Sequence, residues 1–348
     1  MTELNVNILT PPPIPHIARP KPKSKTWIWA ICVPVVLVLL WAIMTKVSNE
    51  TSGRSGILNI ERHGIDEFPG MHEIWSYGQG DTKVARIDIT GVIMQGKQGS
   101  IFSVARDPVE TALRMIRTAT QDKNIKGIIL VVDSPGGGIT ASDIIYNELK
   151  KFKKTDPSRK VIALFGDIAA SGGYYVASAA DYIIAHPTTI TGSIGVLIST
   201  LNFKGFGDRY GIKSISITSG KNKDMLNPLK DLTDEQQKLL QFTIDDMYKR
   251  FVQVVSEGRS MPEDDVKKIA DGRILTASEA LENKLIDRIG YWDDAMDETC
   301  NILKVKSIKV IRYQEQFTFA SIFEAIQNIE ISIRNLQGNT MRMYMSPL

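Results

Sequence analysis

Ser171 stands in the stretch GDIAASGGYYVASAAD (166–181), between small residues and a glycine pair. An apolar run of strand character, Val161–Phe165, leads into it, and a segment rich in small and aromatic residues follows. That order suits a sharp turn from strand to helix, which exposes a hydroxyl and leaves N–H groups unpaired at the helix start. The same N–H groups can hold an oxyanion, so the turn suits a nucleophile. Such a serine needs a base, and histidine is scarce: His16, His63, His72 and His186. None has a carboxylate or second ligand at metal-binding spacing, which argues against a zinc site. A lysine can serve instead, as in the serine–lysine variants of the triad. It must be neutral, a shift of about three units from a reference near 10.4 that costs roughly 4–5 kcal/mol of environment. Lys221 and Lys223 in SGKNKDM (219–225) are the candidates, and periodicity alone does not choose between them. A second glycine-rich stretch, DSPGGG (133–138), lacks both G-x-G-x-x-G spacing and a Walker lysine. Its backbone amides can complete an oxyanion hole instead.

These residues need a frame, and the pattern around them predicts one. VARIDITGVIM (84–94) alternates as a strand, and GIILVV (127–132) reads as a short buried one. Asp107-Pro108 opens a helix over VETALRMIRTAT, with Asp107 as cap and Pro108 at the first position. A further helix spans 139–152, and the strand 160–165 then enters the Ser171 turn. Strands are also expected at 182–185, 194–199, 213–218 and 307–313. The clearest helix is 233–258, with a capping box from Thr233 and Gln236. Its apolar positions Leu240, Ile244, Met247, Phe251 and Val254 must face the sheet or a neighbouring subunit. Shorter helices are expected at 261–271, 276–283 and 292–303, and an amphipathic tail helix at 319–336. Strand and helix alternate with short connections, which makes the fold class α/β with a largely parallel sheet.

The 348 residues include 43% hydrophobic ones, ample for a core. A net charge of +3 does not mark a nucleic-acid binder. Cys32 and Cys300 form neither metal-ligand spacing nor a disulfide framework. Residues 1–26 are proline-rich and basic and read as a disordered tail. Residues 27–44 carry no charge, and as a helix would span about 27 Å, close to a bilayer's hydrocarbon thickness. Tryptophans at 27, 29 and 41 sit near its ends, and no A-x-A-like cleavage site follows. Arg19, Lys21, Lys23 and Lys25 precede it. The positive-inside rule therefore puts the N-terminus in the cytoplasm and the body outside. The expected organisation is a tail (1–26), a single transmembrane helix (27–45), a polar stalk or lead-in (46–82), a catalytic domain (83–312) and a helical tail (313–348).

Four segments in order, DSPGGG, GDIAASGGYYVASAAD, TITGSIGV (189–196) and SGKNKDM, resemble signal peptide peptidase A and its relatives. DGRILTASEALENKLIDRIG (271–290) resembles that family's segment downstream of the lysine. The resemblance covers about 83–300 and implies a crotonase/Clp protease-like fold of stacked ββα units. It implies Ser171 as nucleophile, Lys223 rather than Lys221 as general base, and Ser193 as the hydroxyl that orients the lysine. Gly172 and Gly137, preferred over Gly136, would form the oxyanion hole. No cofactor is expected. The implied substrates are hydrophobic peptides, notably remnant signal peptides at the membrane. The single module resembles the family's short form, whose members assemble as rings, commonly octameric domes, with sites often shared between neighbours. The competing readings are a serine–histidine triad through His186 or a lead-in histidine (His63 or His72), an acyl-CoA hydratase or isomerase using a pair among Asp133, Asp143 and Asp167, and a non-catalytic ring-forming membrane scaffold.

Overall fold

The computed structural model describes residues 71–96 and 107–315. The strands, in chain order, are β1 (Met71–Tyr77), β2 (Thr82–Thr90), β3 (Ile125–Ser134), β4 (Lys160–Ala170), β5 (Tyr182–Ala185), β6 (Ile190–Gly192), β7 (Ile274–Thr276), β8 (Arg288–Ile289) and β9 (Ile308–Glu315). The helices are α1 (Pro108–Gln121), α2 (Ile139–Thr155), α3 (Gly172–Ala177), α4 (Lys204–Tyr210), α5 (Asp234–Arg259), α6 (Glu263–Ile269), α7 (Ala277–Glu282) and α8 (Trp292–Leu303). The sheet runs β1-β9-β2-β3-β4-β5-β8, with β6 joined to β4 and β7 joined to β6. Among the described residues only the β1–β9 and β6–β7 pairings are antiparallel.

Parallel strands need both faces covered, and side chains of β2 and β3 go alternately to two cores. Ala85, Ile87, Ile89, Ile128, Leu130 and Val132 pack under α1, α2, α3 and α5. Val84, Ile129, Ile162 and Val310 pack against Ala295 and Met296 of α8. Local signals behave as expected at the helix starts. Asp107 accepts the N–H groups of Val109 (2.9 Å) and Glu110 (3.0 Å) ahead of Pro108. Thr233 and Gln236 exchange the two bonds of a capping box at the head of α5.

Differences from expectation are confined to edges and to one long excursion. The stalk read at 46–82 gives way to strand at β1, held by β9, its pairing partner from the far end of the chain. The tail boundary at 313 moves outward because β9 continues to Glu315. No strand forms at 194–199 or 213–218. Ile215 and Ile217 there are 89% and 99% exposed, so the alternating pattern has no sheet to meet within the chain. The first half of α5 is similarly uncovered, with Phe242 75% exposed, while Phe251, Val252, Val254 and Val255 are buried. The segment expected to span a membrane, the disordered tail and the C-terminal tail helix lie outside the described residues. Among the described residues no helix is long and apolar enough to cross a membrane.

Candidate active site

The site is built where β4 changes partner. Ile162–Phe165 pair with β5, whereas Ile168–Ala170 pair with β6. Asp133 supports the switch, its carboxylate accepting the Ile168 N–H at 3.1 Å. Ser171 follows with φ +51°, in a region that non-glycine residues adopt at a cost, and α3 starts at the next residue. Its backbone is held on both sides: the Ser171 N–H donates to the Gly192 carbonyl and the Tyr175 N–H to the Ser171 carbonyl, each at 2.9 Å.

Ser193 is placed by the same register. Ala170 is paired with Gly192 in parallel, so the two serines are each one residue beyond that pair. Adjacent strands lie about 4.8 Å apart, which sets the two serines side by side. Ser193 also has positive φ, +50°, and its N–H donates to the Arg273 carbonyl at 2.7 Å. The DGR turn at 271–273 thus braces the second serine, a role its polar sequence did not signal.

The DSPGGG loop closes the other side. A Cβ on Gly136, whose φ is +103°, would stand 2.7 Å from the Gly172 nitrogen and 2.8 Å from Ser171 Cβ. A Cβ on Gly172 would stand 3.1 Å from the Gly137 nitrogen. Two amides, Gly137 and Gly172, therefore lie close together beside the Ser171 side chain. Neither has an acceptor among the described residues. Such a pair of free N–H groups can hold a developing oxyanion.

Two further residues fix this loop, and sequence reasoning overlooked them. Ile93 donates its N–H to Gly136 O (2.9 Å) and accepts from Gly138 N–H (2.7 Å). Buried Ser134 donates to Gly91 O (2.6 Å) and accepts from Gly136 N–H (3.1 Å). In the sequence Ile93 is one more apolar strand residue and Ser134 one more loop residue. A contact between distant segments leaves no periodic mark.

The two candidate lysines separate cleanly. Lys221 is engaged by Glu235 at 2.7 Å. Lys223 is exposed in the turn following 213–218, with no bond to Ser171 within the chain. The expectation of a lysine buried beside Ser171 is not met inside one chain, because the segment carrying it is exposed and pairs with no strand among the described residues.

The other constellations do not assemble. Phe165 pairs with Ala185, so His186 lies level with Gly166, five residues and about 16 Å short of Ser171 along the strand. Its ring stacks on Tyr291 instead, at 5.6 Å. His72 is on edge strand β1, with three strands between it and β4. Asp133 is occupied by the Ile168 N–H and Asp143 by Tyr175 and Arg250, so no carboxylate pair forms for hydratase chemistry.

The Peptidase family S49 profile matches residues 153–306, and the Clp protease profile matches 93–190. A protein of Enterococcus faecium carrying the name of signal peptide peptidase SppA is 36% identical over 83% of this chain and 84% of its own length. The chain belongs to peptidase family S49. It is a serine peptidase of the signal peptide peptidase type on a mixed α/β, Clp protease-like fold. The chloroplastic serine protease SPPA of Arabidopsis thaliana is 36% identical over 66% of this chain and 34% of its own length. Protease 4 of Haemophilus influenzae is 35% identical over 71% and 38% respectively. This S49 peptidase chain spans most of the length of the Enterococcus relative and about a third of the length of the other two.

Proposed function

We propose that this S49 peptidase cleaves hydrophobic peptides, remnant signal peptides among them, with Ser171 as nucleophile and Lys223 as general base. The observation that carries the reading is the strained Ser171 turn flanked by two acceptor-free amides and a second serine in register. Neutral Lys223 takes the hydroxyl proton as Ser171 Oγ attacks the scissile carbonyl, and the oxyanion lies against the N–H groups of Gly137 and Gly172. The C–N bond then breaks and the lysine proton leaves with the amine. Water, activated by the same lysine, hydrolyses the ester and restores Ser171. Ser193 donates or accepts the hydrogen bond that aims the lysine nitrogen. No cofactor takes part in these steps.

The lysine reaches a serine by assembly. Lys223 is exposed, and the excursion from 195 to the middle of α5 carries large apolar side chains that a second copy would cover. A homo-oligomeric ring, of eight copies by resemblance to the short form, would set the Lys223 of one copy beside the Ser171 of the next. The charge-free run at 27–44 would anchor the ring in the plasma membrane by a single pass, with the N-terminus cytoplasmic and the catalytic body outside. A fluorophosphonate probe tests the chemistry directly. It should label Ser171 in the full chain, and Ser171→Ala should abolish both labelling and cleavage of a hydrophobic peptide. Turnover surviving in Ser171→Ala would end the proposal.

A further inference from the structure

The three parts of the proposed site arrive on three different elements, and one carboxylate joins all three. The glycine loop runs directly into α2, with Gly138 as its N-cap residue, and Asp143 lies in its second turn. Ser171 opens α3, and Tyr175, one turn on, donates its hydroxyl to Asp143 Oδ1 at 2.5 Å. The lysine segment leads into α5, and Arg250 of that helix donates to the same oxygen at 3.2 Å. Around this joint the rings of Tyr175 and Phe251 sit 5.0 Å apart, and the Arg250 guanidinium lies over Tyr146 at 6.0 Å. We propose that Asp143 is a positioning residue for the peptidase reaction, setting the angle at which α5 leaves the body and hence where its lysine segment is delivered.

The inference rests on the assignment of Lys223 as base. Geometry gives it weight, because α5 is a lever. Only its last turns are buried, and from Arg250 to its start at Asp234 it extends about 24 Å. A tilt of about 5° at the joint would move that end by about 2 Å. Misplacement of a reacting group by about 1 Å can cost a hundredfold in rate. Burial, and then the bond to Asp143, push the Tyr175 hydroxyl well above its ordinary pKa. Tyr175 therefore keeps its proton and remains a donor throughout the neutral range. As an ion pair alone, Asp143–Arg250 is partly exposed and contributes little to stability.

The test compares Asp143→Asn, Arg250→Met and the double variant in the full-length protein, using cleavage of a hydrophobic peptide and the rate of fluorophosphonate labelling. Each single variant should lose at least about tenfold in kcat with KM within about threefold, and label Ser171 more slowly. The double variant should be no worse than the worse single, since both break one joint. Melting temperatures should stay within a few degrees. Unchanged kcat and labelling in both folded single variants would overturn the inference, as would a loss confined to melting temperature. Should Asp143→Asn not fold, Arg250→Met on the partly exposed side decides alone. Lys223→Ala run in parallel separates the two ideas. Full activity there refutes the base assignment, whereas inactivity there with a normal Asp143→Asn refutes only the positioning role.

Discussion

Gly136→Ala should disable the oxyanion site while leaving the fold in place. The backbone there has φ +103°, which costs a side-chain-bearing residue about 1–3 kcal/mol. The new methyl would stand 2.7 Å from the Gly172 nitrogen, 2.8 Å from Ser171 Cβ and 3.0 Å from Ala170 O, where ordinary contacts begin at 3.4 Å. Two of the three atoms are backbone and the third is fixed to it, so no side-chain rotation relieves the crowding. The loop must retreat by several tenths of an ångström, and the Gly137 and Gly172 amides then part. Losing one oxyanion donor costs about 3–4 kcal/mol in the transition state, or a hundred- to thousandfold in kcat. Because the oxyanion exists only after attack, KM should hold steady while kcat falls. Steady-state cleavage of a hydrophobic peptide, with a thermal melt to confirm folding, reads this directly. Ser134→Ala attacks the same loop without a clash. It orphans the buried Gly136 N–H and should lower both kcat and stability, the latter by about 1–3 kcal/mol. A folded Gly136→Ala enzyme within twofold of wild-type kcat would refute the oxyanion assignment.

Three further outcomes follow. Peptide cleavage should rise with pH as the catalytic lysine loses its proton, and a flat profile between pH 5 and 9 would count against Lys223 as base. Co-assembled Ser171→Ala and Lys223→Ala chains, each inactive alone, should recover about a quarter of wild-type activity if neighbours share sites, and none if they do not. Asp107→Ala should cost about 1 kcal/mol of stability at neutral pH, measured by denaturant unfolding. Burial works to raise the Asp107 carboxyl, but the N–H groups of Glu110, Gly96 and Val109 outweigh it and hold its pKa below the usual value. That stabilisation is present above the unfolded carboxylate pKa of about 3.9 and fades as pH falls through the lower folded value. The difference between variant and wild type should therefore shrink in strong acid.

Legibility in the sequence followed the range of the interaction. Caps at Asp107 and Thr233, the bounds of the helix at 292–303 and the apolar strand at 127–132 depend on neighbours a few residues away, and each forms as expected. The patterns at 213–218 and in the first half of α5 were misleading for one reason: alternation states that a face will be covered, not by what. Among the described residues nothing covers Ile215, Ile217 or Phe242. Edge strand β1 escaped notice because its sequence is only half apolar, and its partner β9 lies more than 200 residues away.

The sequence by itself determined the chemical inventory: a glycine-framed serine, no histidine in a usable setting, two lysines in one turn and two glycine-rich loops between strands and helices. Residue type and local spacing suffice for that, since turns and caps act over a few bonds. Tertiary structure alone decided that Ser193 stands beside Ser171, that the Gly137 and Gly172 amides lie close together next to it, and that Asp143 ties three elements together. Each of these follows from strand register or from packing between segments tens of residues apart, which one-dimensional order does not encode.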